Sequence, residues 1–353
     1  DAPPAGSPPG DKYIMKKISY KFSHSSVDYY LAYGISHLRE MTDQRNTIIL
    51  TDENIFHAHS KRFKNWSTIV LKPGEELKVQ ETADSVISQL LEMGADRKTT
   101  LVGVGGGVIT DMTGYIASIY MRGIRFGFVP TTLLAMVDAS IGGKNGIDVG
   151  LYKNMVGVIR QPAFILHDMI FLNTLPQSEW ENGFAEIIKH ACIKDAAMFK
   201  ELETNNFINY QERKKIICEL VQRNAILKTK VVQQDEFETG DRKLLNFGHT
   251  LGHALENQYE LSHGQAISIG MTYACHLSQQ RSGFAETERV VRLLEKYNLP
   301  TYASFNRKKA FEVLQKDKKK VRDEISFVLL RKIGKGLIKN IPMAEFKNSL
   351  EQF

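Results

Sequence analysis

The first half of the chain alternates short apolar runs with amphipathic segments, and this alternation constrains the fold more than any other feature. The runs N-T-I-I-L-T-D, W-S-T-I-V-L-K, T-T-L-V-G-V, F-G-F-V-P and A-F-I-L-H-D follow one another within residues 12–175. Short β-branched runs separated by helical periods are typical of α/β units around a mainly parallel sheet. We therefore predict a Rossmann-like α/β domain around a mainly parallel sheet.

The second half has a different pattern. After about Glu179 helical periods dominate, as in E-W-E-N-G-F-A-E-I-I-K-H-A and A-E-T-E-R-V-V-R-L-L-E-K-Y, with one late strand-like pair at I-S-F-V-L-L and G-L-I-K-N-I. A length of 353 residues suits two domains. We predict a flexible, proline-rich tail at 1–11, an α/β domain at 12–178 and a mostly helical domain at 179–353.

Composition narrows the class of protein. The net charge of +6 is modest for this length, and no nucleic-acid-binding motif accompanies it. No apolar stretch approaches the roughly twenty residues of a membrane helix, and the tail lacks the basic start and apolar block of a signal peptide. Three scattered cysteines form no C-x-x-C pair, which favours a reduced, cytoplasmic setting. We expect a small acidic ligand rather than nucleic acid or membrane.

A glycine cluster, G-V-G-G-G-V-I-T-D, lies between an apolar run and a helical pattern at Gly103–Asp111. A glycine turn that opens a helix makes an anion site, because free backbone N–H groups and the helix dipole converge there. Val108 occupies the place of the third glycine, so this is not the dinucleotide fingerprint. A phosphate site and a tight structural turn both remain open. Asp52, which ends the first run, suits either a ribose contact or a helix cap.

A second glycine-rich segment carries two lysines. The G-G-K sequence ending at Lys144 resembles part of a P-loop, but Asp138 and Asn145 occupy the positions of its first glycine and its magnesium-binding hydroxyl. The Walker interpretation is therefore excluded. Lys144 and Lys153, in loops beside Asp138 and Asn154, suit a phosphate or carboxylate ligand, although either lysine alone is more typical of a solvated surface.

A donor-rich stripe follows in the second half. Arg242, Asn246, His249 and His253 recur at four- and three-residue steps, and His263 follows one short loop later. Side chains at these steps share one face of a helix. The sequence therefore predicts an amphipathic helix whose polar face is rich in metal-binding and proton-transfer groups.

The histidines invite a metal site. His249 and His253 are spaced as in H-E-x-x-H, but the protease glutamate is missing, so a zincin is excluded. Three nitrogen and oxygen ligands with an open position suit catalytic zinc. Glu186, on a predicted helix with Lys189 one turn further on, is the candidate carboxylate. An isolated Glu-x-x-Lys pair is more often a solvated ion pair.

Taken together, these segments resemble the 3-dehydroquinate synthase family. The resemblance rests on strings in the family's order across roughly Asp52 to Lys320: G-G-G-V-x-x-D, M-R-G-I-R-F, V-P-T-T-L-L-A-x-V-D-A-S-I-G-G-K, K-N-M-V-G, Q-P, F-A-E-I-I-K, L-N-F-G-H-T-L-G-H-A and H-G-x-A-I-S-I-G-M.

The resemblance implies a lyase of the shikimate pathway for aromatic amino acids that uses NAD and one divalent metal, zinc or cobalt. It would convert 3-deoxy-D-arabino-heptulosonate 7-phosphate into 3-dehydroquinate and phosphate by transient oxidation with NAD, phosphate elimination, re-reduction and intramolecular aldol closure. A homodimer is implied as well. We expect the active site in a cleft between the two domains.

The resemblance also assigns residues. The implied metal ligands are Glu186, His249 and His263, and His253 is left for proton transfer, since histidine changes charge near neutral pH. The implied NAD residues are Asp52, Asn54, Glu75, Lys78, Gly106, Gly107, Val108, Asp111, Thr131, Thr132, Lys144, Lys153 and Thr174. The implied catalytic and substrate-binding residues are Arg122, Asp138, Lys144, Lys153, Asn154, Lys189, Lys228, Glu238, Arg242, Asn246 and one of Lys318 and Lys319, with Lys319 preferred.

Two positions depart from the family pattern, Thr110 in the glycine turn and Asp241 before Arg242. Thr110 would slightly reshape the turn, and Asp241 would pair with Arg242 or point to solvent. Two alternatives stay open: a sister sugar phosphate cyclase of the valiolone or deoxy-scyllo-inosose type, and a catalytically silent homologue that acts as a binding protein. A third class, the iron-type alcohol dehydrogenases, shares only the general architecture. That class has no need of the phosphate-binding lysines.

Overall fold

The computed structural model describes residues 15–150, 152–256, 258–316, 320–321 and 324–353. The predicted tail and the lysines at 318 and 319 lie outside the described residues. The chain forms two compact units. The first runs to Pro176 and includes Asn209–Glu236, and the second comprises Gln177–Ile208 and Phe237–Phe353. Within the described ranges, no helix combines the length and the apolar character needed to cross a membrane.

The strands are β1 (Lys16–Lys21), β2 (Ser26–Leu31), β3 (Thr47–Asp52), β4 (Ser67–Leu71), β5 (Thr100–Gly105), β6 (Arg125–Pro130), β7 (Lys144–Val149), β8 (Tyr152–Ile159), β9 (Phe164–His167), β10 (Lys320–Val321), β11 (Glu324–Lys332) and β12 (Lys335–Pro342). The helices are α1 (Leu38–Met41), α2 (Glu53–Ala58), α3 (Ser60–Phe63), α4 (Gln80–Glu92), α5 (Gly107–Ile119), α6 (Gln177–Lys194), α7 (Ala196–Thr204), α8 (Phe207–Glu212), α9 (Lys214–Gln234), α10 (His249–Glu256), α11 (His263–Ser282), α12 (Thr287–Lys296), α13 (Arg307–Lys316) and α14 (Met343–Gln352).

The first unit is built on a seven-stranded sheet with the order β1-β2-β9-β6-β5-β3-β4. All neighbouring pairs are parallel except β1 with β2. The five predicted runs form β3, β4, β5, β6 and β9. Every residue of β5 is buried, as expected where a parallel strand is covered on both faces. The predicted α/β class of the first half is confirmed.

Two hairpins were not predicted. Residues 16–31 form the antiparallel pair β1–β2, whose first strand is mostly exposed and carries little apolar signal. The segment with Lys144 and Lys153 was interpreted as loops, and this is wrong, because it forms the antiparallel pair β7–β8. A Cβ at Gly157 would lie 2.2 Å from the carbonyl oxygen of Asn145, so the glycines that suggested a loop allow close strand pairing.

In the second unit, the predicted helices around Glu186 and Val290 form α6 and α12, and the late strand pair forms β11–β12. The single helix predicted from Arg242 onward is wrong. A 3₁₀ helix spans Asp241–Asn246, and α10 begins only at His249. Gly248 separates them with φ = +82°, and a Cβ there would lie 2.6 Å from Cγ of Met271.

The helix α9 belongs to the first unit, although the sequence grouped it with the helical second half. The side chain of Gln233 donates to the carbonyl of Lys21 at 2.9 Å, which ties α9 to the end of β1. Helical periodicity shows that a segment is a helix but carries no information about the unit on which it packs. The predicted division of labour, with cofactor binding before residue 178 and metal and substrate binding after it, stays a prediction.

The buried imidazole of His167, at the end of β9, should make the protein sensitive to acid. Its Nε2 lies 2.9 Å from the carbonyl of Met136, its Nδ1 has no hydrogen-bond partner among the described residues, and its ring stacks on Tyr29. Burial lowers its pKa to about 4. Because the folded pKa lies below the unfolded value, the resulting stability is complete above pH 6.5 and is lost as the pH falls towards 4, by about 3 kcal/mol in total.

Urea unfolding of wild type and His167→Phe between pH 7 and pH 4 checks this expectation. Uptake of one proton on unfolding lowers the free energy of unfolding by about 1.4 kcal/mol for each pH unit of acidification. The variant should lose this contribution to the pH dependence. A matched His57→Gln variant, which changes an exposed histidine of the same unit, should keep that slope. Equal slopes in wild type and His167→Phe would contradict the assignment.

Candidate functional site

The carboxyl ends of three neighbouring strands bring predicted cofactor residues to one edge of the first unit's sheet. Asp52 ends β3, Gly106 follows β5 and Thr131 follows β6. The chain runs from β3 outward to β4 and then returns to β5 on the other side of β3. Ligands of doubly wound folds bind outside the carboxyl ends of strands at such a switch point. The edge at β3 and β5 is therefore the candidate cofactor site.

The glycine turn at this edge offers unencumbered backbone donors. Gly106 is the N-cap of α5 and provides no side-chain cap for the first turn of a 13-residue helix. A Cβ at Gly106 would lie 3.1 Å from Cγ2 of Thr132, a tight contact that another residue could make only if Thr132 shifted. The buried hydroxyl of Thr131 has no hydrogen-bond partner within the part of the chain that the structure describes. Free N–H groups and an unused hydroxyl fit a phosphate-bearing cofactor such as NAD.

Other predicted cofactor residues have structural partners. Asp52 caps α2, with Oδ1 accepting from the backbone N–H of Ile55 at 3.0 Å. The hydroxyl of Thr174 lies 2.9 Å from Nε2 of His59. Asp52 therefore fulfils the cap role that its sequence position also suggested. Its contact with a ribose stays a prediction.

Three further positions that the sequence singled out lie on α5 and α2. The hydroxyl of Thr110 donates to the carbonyl of Gly107 at 2.9 Å, so this departure from the family pattern is absorbed inside α5. Val108 is partly buried against the core of the first unit, and Asn54 is exposed on α2. Neither of these two has a contact that assigns it a role.

Lys78 links the cofactor side to the β7–β8 hairpin. Its nearly buried Nζ donates to Oδ2 of Asp111 at 2.6 Å and to Oδ1 of Asn154 at 2.7 Å, and Oε1 of Glu75 lies at 3.9 Å. Burial alone would lower the pKa of Lys78, but Asp111 and Glu75 raise it above its usual value. The backbone N–H of Asn154, a residue with φ = +55°, donates to Oδ1 of Asp148 at 2.7 Å. Asp148 is a contributor that the sequence did not reveal.

The structure brings together two predicted substrate residues of the first unit. Nζ of Lys228, on α9, lies 2.9 Å from Oδ2 of Asp138 and donates to its carbonyl oxygen at 2.8 Å. Both side chains are largely buried. A buried ammonium group held in this way is a fixed positive charge, which suits the binding of a phosphate or carboxylate.

Other predicted substrate residues of this unit lie apart. Lys144 pairs in register with Ile159, whereas Lys153 and Asn154 lie at the opposite end of the hairpin. Arg122 follows the carboxyl end of α5, about 20 Å from the glycine turn at its amino end. Within this chain Arg122 is not brought to the turn.

The predicted metal ligands form one cluster in the second unit. Nε2 of His263 lies 3.0 Å from Oε1 of the fully buried Glu186, and Nε2 of His249 lies 3.5 Å from the same oxygen. One ligand atom from each of the three residues lies within 4.8 Å of the others. One carboxylate and two imidazoles are a donor set that zinc and similar ions accept, with a position left open.

Helix packing brings these residues together. His249 and His263 are the first residues of α10 and α11. A Cβ at Gly264 would lie 2.7 Å from Cα of Asn182 on α6, and the N–H of Gly264 donates to Oδ1 of Asn182 at 2.8 Å. The absence of a side chain at Gly264 therefore lets α11 begin directly against the helix that carries Glu186.

Each histidine is oriented through its second nitrogen. Nδ1 of His249 lies 3.2 Å from the carbonyl of Phe247, and Nδ1 of His263 lies 3.6 Å from Oε2 of Glu256. Burial and the ammonium of Lys189 hold the pKa of His249 well below its usual value, so its imidazole is neutral. Burial lowers the pKa of His263, but the two carboxylates raise it to about 10. Both rings direct Nε2 at the carboxylate of α6, as metal ligands with carbonyl or carboxylate partners do.

Two predicted catalytic residues flank the cluster. Lys189 is fully buried and forms an ion pair with Oε2 of Glu186, one turn away on α6. The exposed imidazole of His253 lies edge-on to His249, with ring centroids 5.1 Å apart. The alternative interpretation of Glu186 and Lys189 as an ordinary solvated pair does not apply, because both side chains are inaccessible to solvent.

The residues before α10 form a second polar group. Nδ2 of Asn246 donates to Oε1 of Glu238 at 2.6 Å, and the side chain of Arg242 is buried. Asp241 lies on the surface 3.3 Å from Nζ of Lys194. This departure from the family pattern thus has a surface partner.

Glu256 was missed by the residue-by-residue reasoning. It ends the string G-H-T-L-G-H-A-L-E and follows His249 by seven residues, a spacing that returns to the same face of a helix. That spacing was the available signal.

Comparisons with known proteins agree with the geometry. Residues 68–182 match the family described as 3-dehydroquinate synthase N-terminal, and residues 183–320 match the one described as 3-dehydroquinate synthase C-terminal. The 3-dehydroquinate synthase of Leptospira interrogans serogroup Icterohaemorrhagiae is 36% identical over 345 residues, which cover 94% of this chain and 95% of the relative.

Two solved structures are similar throughout. The 2-epi-5-epi-valiolone synthase from Streptomyces hygroscopicus with NAD⁺ and Zn²⁺ bound has a TM-score of 0.84 at 25% identity, covering 97% of this chain and 99% of that one. A 2-deoxy-scyllo-inosose synthase complexed with carbaglucose-6-phosphate, NAD⁺ and Co²⁺ has a TM-score of 0.81 at 23% identity, covering 96% and 99%. The fold is that of the sugar phosphate cyclases. Within that class, the chain belongs to the 3-dehydroquinate synthase family.

Proposed function

We propose that the protein carries out the lyase reaction of its family, conversion of 3-deoxy-D-arabino-heptulosonate 7-phosphate into 3-dehydroquinate and phosphate. The observation that carries this proposal is the cluster of Glu186, His249 and His263 with the buried ammonium of Lys189 beside it. A divalent-metal donor set next to a fixed cation suits a substrate that bears both hydroxyl groups and a phosphate.

When bound, NAD supplies a reversible hydride acceptor and a divalent metal supplies a Lewis acid for the substrate hydroxyls. In the first unit, the N–H groups of Gly106 and Gly107 would receive the cofactor's pyrophosphate, and Thr131 and Asp52 would bind its polar groups. These assignments are supported by the uncapped start of α5 and by the unused hydroxyl of Thr131.

The remaining side chains would bind substrate and move protons. Lys228, paired with Asp138, is a fixed cation of the first unit, and Arg242 is a buried cation of the second. Asn246, whose side chain is held by its hydrogen bond to Glu238, would orient a substrate hydroxyl. His253 is exposed beside His249, where a proton can pass between the substrate and water.

The alternatives differ in what the chain retains. A sister cyclase would share the metal cluster and the cofactor edge but alter the substrate-facing residues. The family resemblance implies that the set retained here argues for the dehydroquinate branch: Lys144, Lys153, Asn154, Lys228, Arg242 and Asn246. A silent homologue would have lost a metal ligand or the histidine beside it, and both are retained.

We further propose zinc or cobalt as the metal, a homodimer, and a cytoplasmic location. The zinc and cobalt of the two similar structures support the first of these.

Phosphate release from the purified protein tests the proposal. With NAD, a divalent metal and the heptulosonate phosphate, we expect metal-dependent release that chelation abolishes. NADH should not accumulate, because the hydride returns to the oxidised intermediate within the same turnover. Sedoheptulose 7-phosphate and glucose 6-phosphate serve as matched substrates. Phosphate release with either of these substrates but not with the heptulosonate phosphate would identify the protein as a sister cyclase.

A further inference from the structure

His263 lies between two carboxylates, and only one of them belongs to the metal donor set. Its Nε2 faces Oε1 of Glu186 at 3.0 Å, and its Nδ1 faces Oε2 of Glu256 at 3.6 Å. The side chain of Glu256 is 10% exposed, so this negative charge is largely withdrawn from solvent. A nearly buried carboxylate on the far side of a ligand imidazole stands where the carboxylate partners of metal-binding histidines stand.

Glu256 is also fixed by the element that carries the other histidine. It is the last residue of α10, and His249 is the first. The rigid helix therefore sets the distance between one ligand and the carboxylate that orients the other. His249 is oriented differently, through the carbonyl of Phe247 at 3.2 Å. Of the two rings, only that of His263 has an ionisable partner at its second nitrogen among the contacts described.

We infer that Glu256 is a positioning residue for the metal centre: its carboxylate faces the Nδ1–H of His263, favours the tautomer that directs Nε2 into the cluster, and strengthens that nitrogen as a donor. Carboxylate–histidine pairs of this kind tune metal affinity by about 10- to 100-fold. The inference rests on the proposed function only in that the cluster holds a metal. It requires neither the substrate nor NAD.

Co²⁺ titration of the metal-free full-length chain, followed by the visible absorption of the bound ion, tests the inference. Glu256→Ala should weaken Co²⁺ binding by 10- to 100-fold and shift the absorption bands. Glu256→Gln should lie between the alanine variant and wild type, because its amide oxygen still faces the Nδ1–H without a charge. Glu260→Gln, four residues on and exposed, is the matched control and should bind like wild type.

Two results would overturn the inference. One is wild-type affinity and spectrum in both Glu256 variants. The other is a weakened Co²⁺ affinity accompanied by a clear drop in the melting temperature of the metal-free Glu256 variants, since that would indicate a structural role for the end of α10. Because lyase turnover is not among the readouts, failure of the proposed function and failure of this inference are separate outcomes.

Discussion

His249→Ala is expected to abolish phosphate release, with a loss of at least about a thousandfold in kcat, because it removes one of three ligands from the cluster in the second unit. His249 is the ligand whose substitution is cleanest to interpret. Its imidazole is held neutral by burial and by Lys189, so no proton has to leave before a metal binds. Removal of Glu186 would instead take a paired carboxylate away from the buried ammonium of Lys189, and the loss of activity would be mixed with a loss of stability.

Three measurements separate loss of metal from loss of fold in this variant. Bound metal per chain should fall from about one to near zero, and added zinc or cobalt should restore chelated wild type but not His249→Ala. NAD affinity should stay within about twofold, because the candidate cofactor residues belong to the other unit. His276→Ala, an exposed histidine of the second unit, is the matched control. More than a tenth of wild-type turnover in a metal-free His249→Ala would refute the metal assignment.

Much of the first unit could be predicted because its signals are local. A buried parallel strand is a short run of apolar, often β-branched residues, so β3, β5 and β6 are visible in the sequence without any partner. The residues at the ends of such strands then meet at one edge as a consequence of parallel geometry. Asp52, Gly106 and Thr131, which the family resemblance grouped as cofactor residues, follow this geometry.

Other features depend on contacts distant in sequence, and these the sequence did not reveal. The helix predicted through Arg242 and His249 is broken because Gly248 packs against Met271 of α11, which no local pattern records. Glycines near Lys144 look like a loop until their close pairing partner is known. The helix α9 is periodic whichever unit it joins.

No single motif in the sequence identifies the metal cluster, and the structure supplies the physical reason why its histidines, glutamate and glycines must occur together. Glu186 is isolated on its helix and its pairing with Lys189 is ordinary at the level of sequence. It becomes a ligand candidate only because Gly264 allows α11 to start against α6 and so to present His263 to the carboxylate. The glycines of these strings are therefore as informative about the site as the histidines.

His253→Ala should lower kcat by about 100- to 10 000-fold, the usual contribution of a general acid–base group, while metal content and NAD affinity stay at wild-type values. The imidazole of His253 is exposed, and its substitution opens no cavity in the core. Stopped-flow phosphate release in metal- and NAD-saturated enzyme measures the effect.

The exposure of His253 also makes chemical rescue possible, and this is the sharper test. Because the truncated position remains open to solvent, added imidazole should enter it and restore part of kcat in His253→Ala but not in His249→Ala, whose site is largely buried. A kcat loss that imidazole does not relieve and that is accompanied by loss of metal would mean that His253 acts through its edge-on contact with His249, 5.1 Å between ring centroids, rather than by proton transfer. Full turnover in the metal-loaded variant would remove His253 from the chemistry altogether.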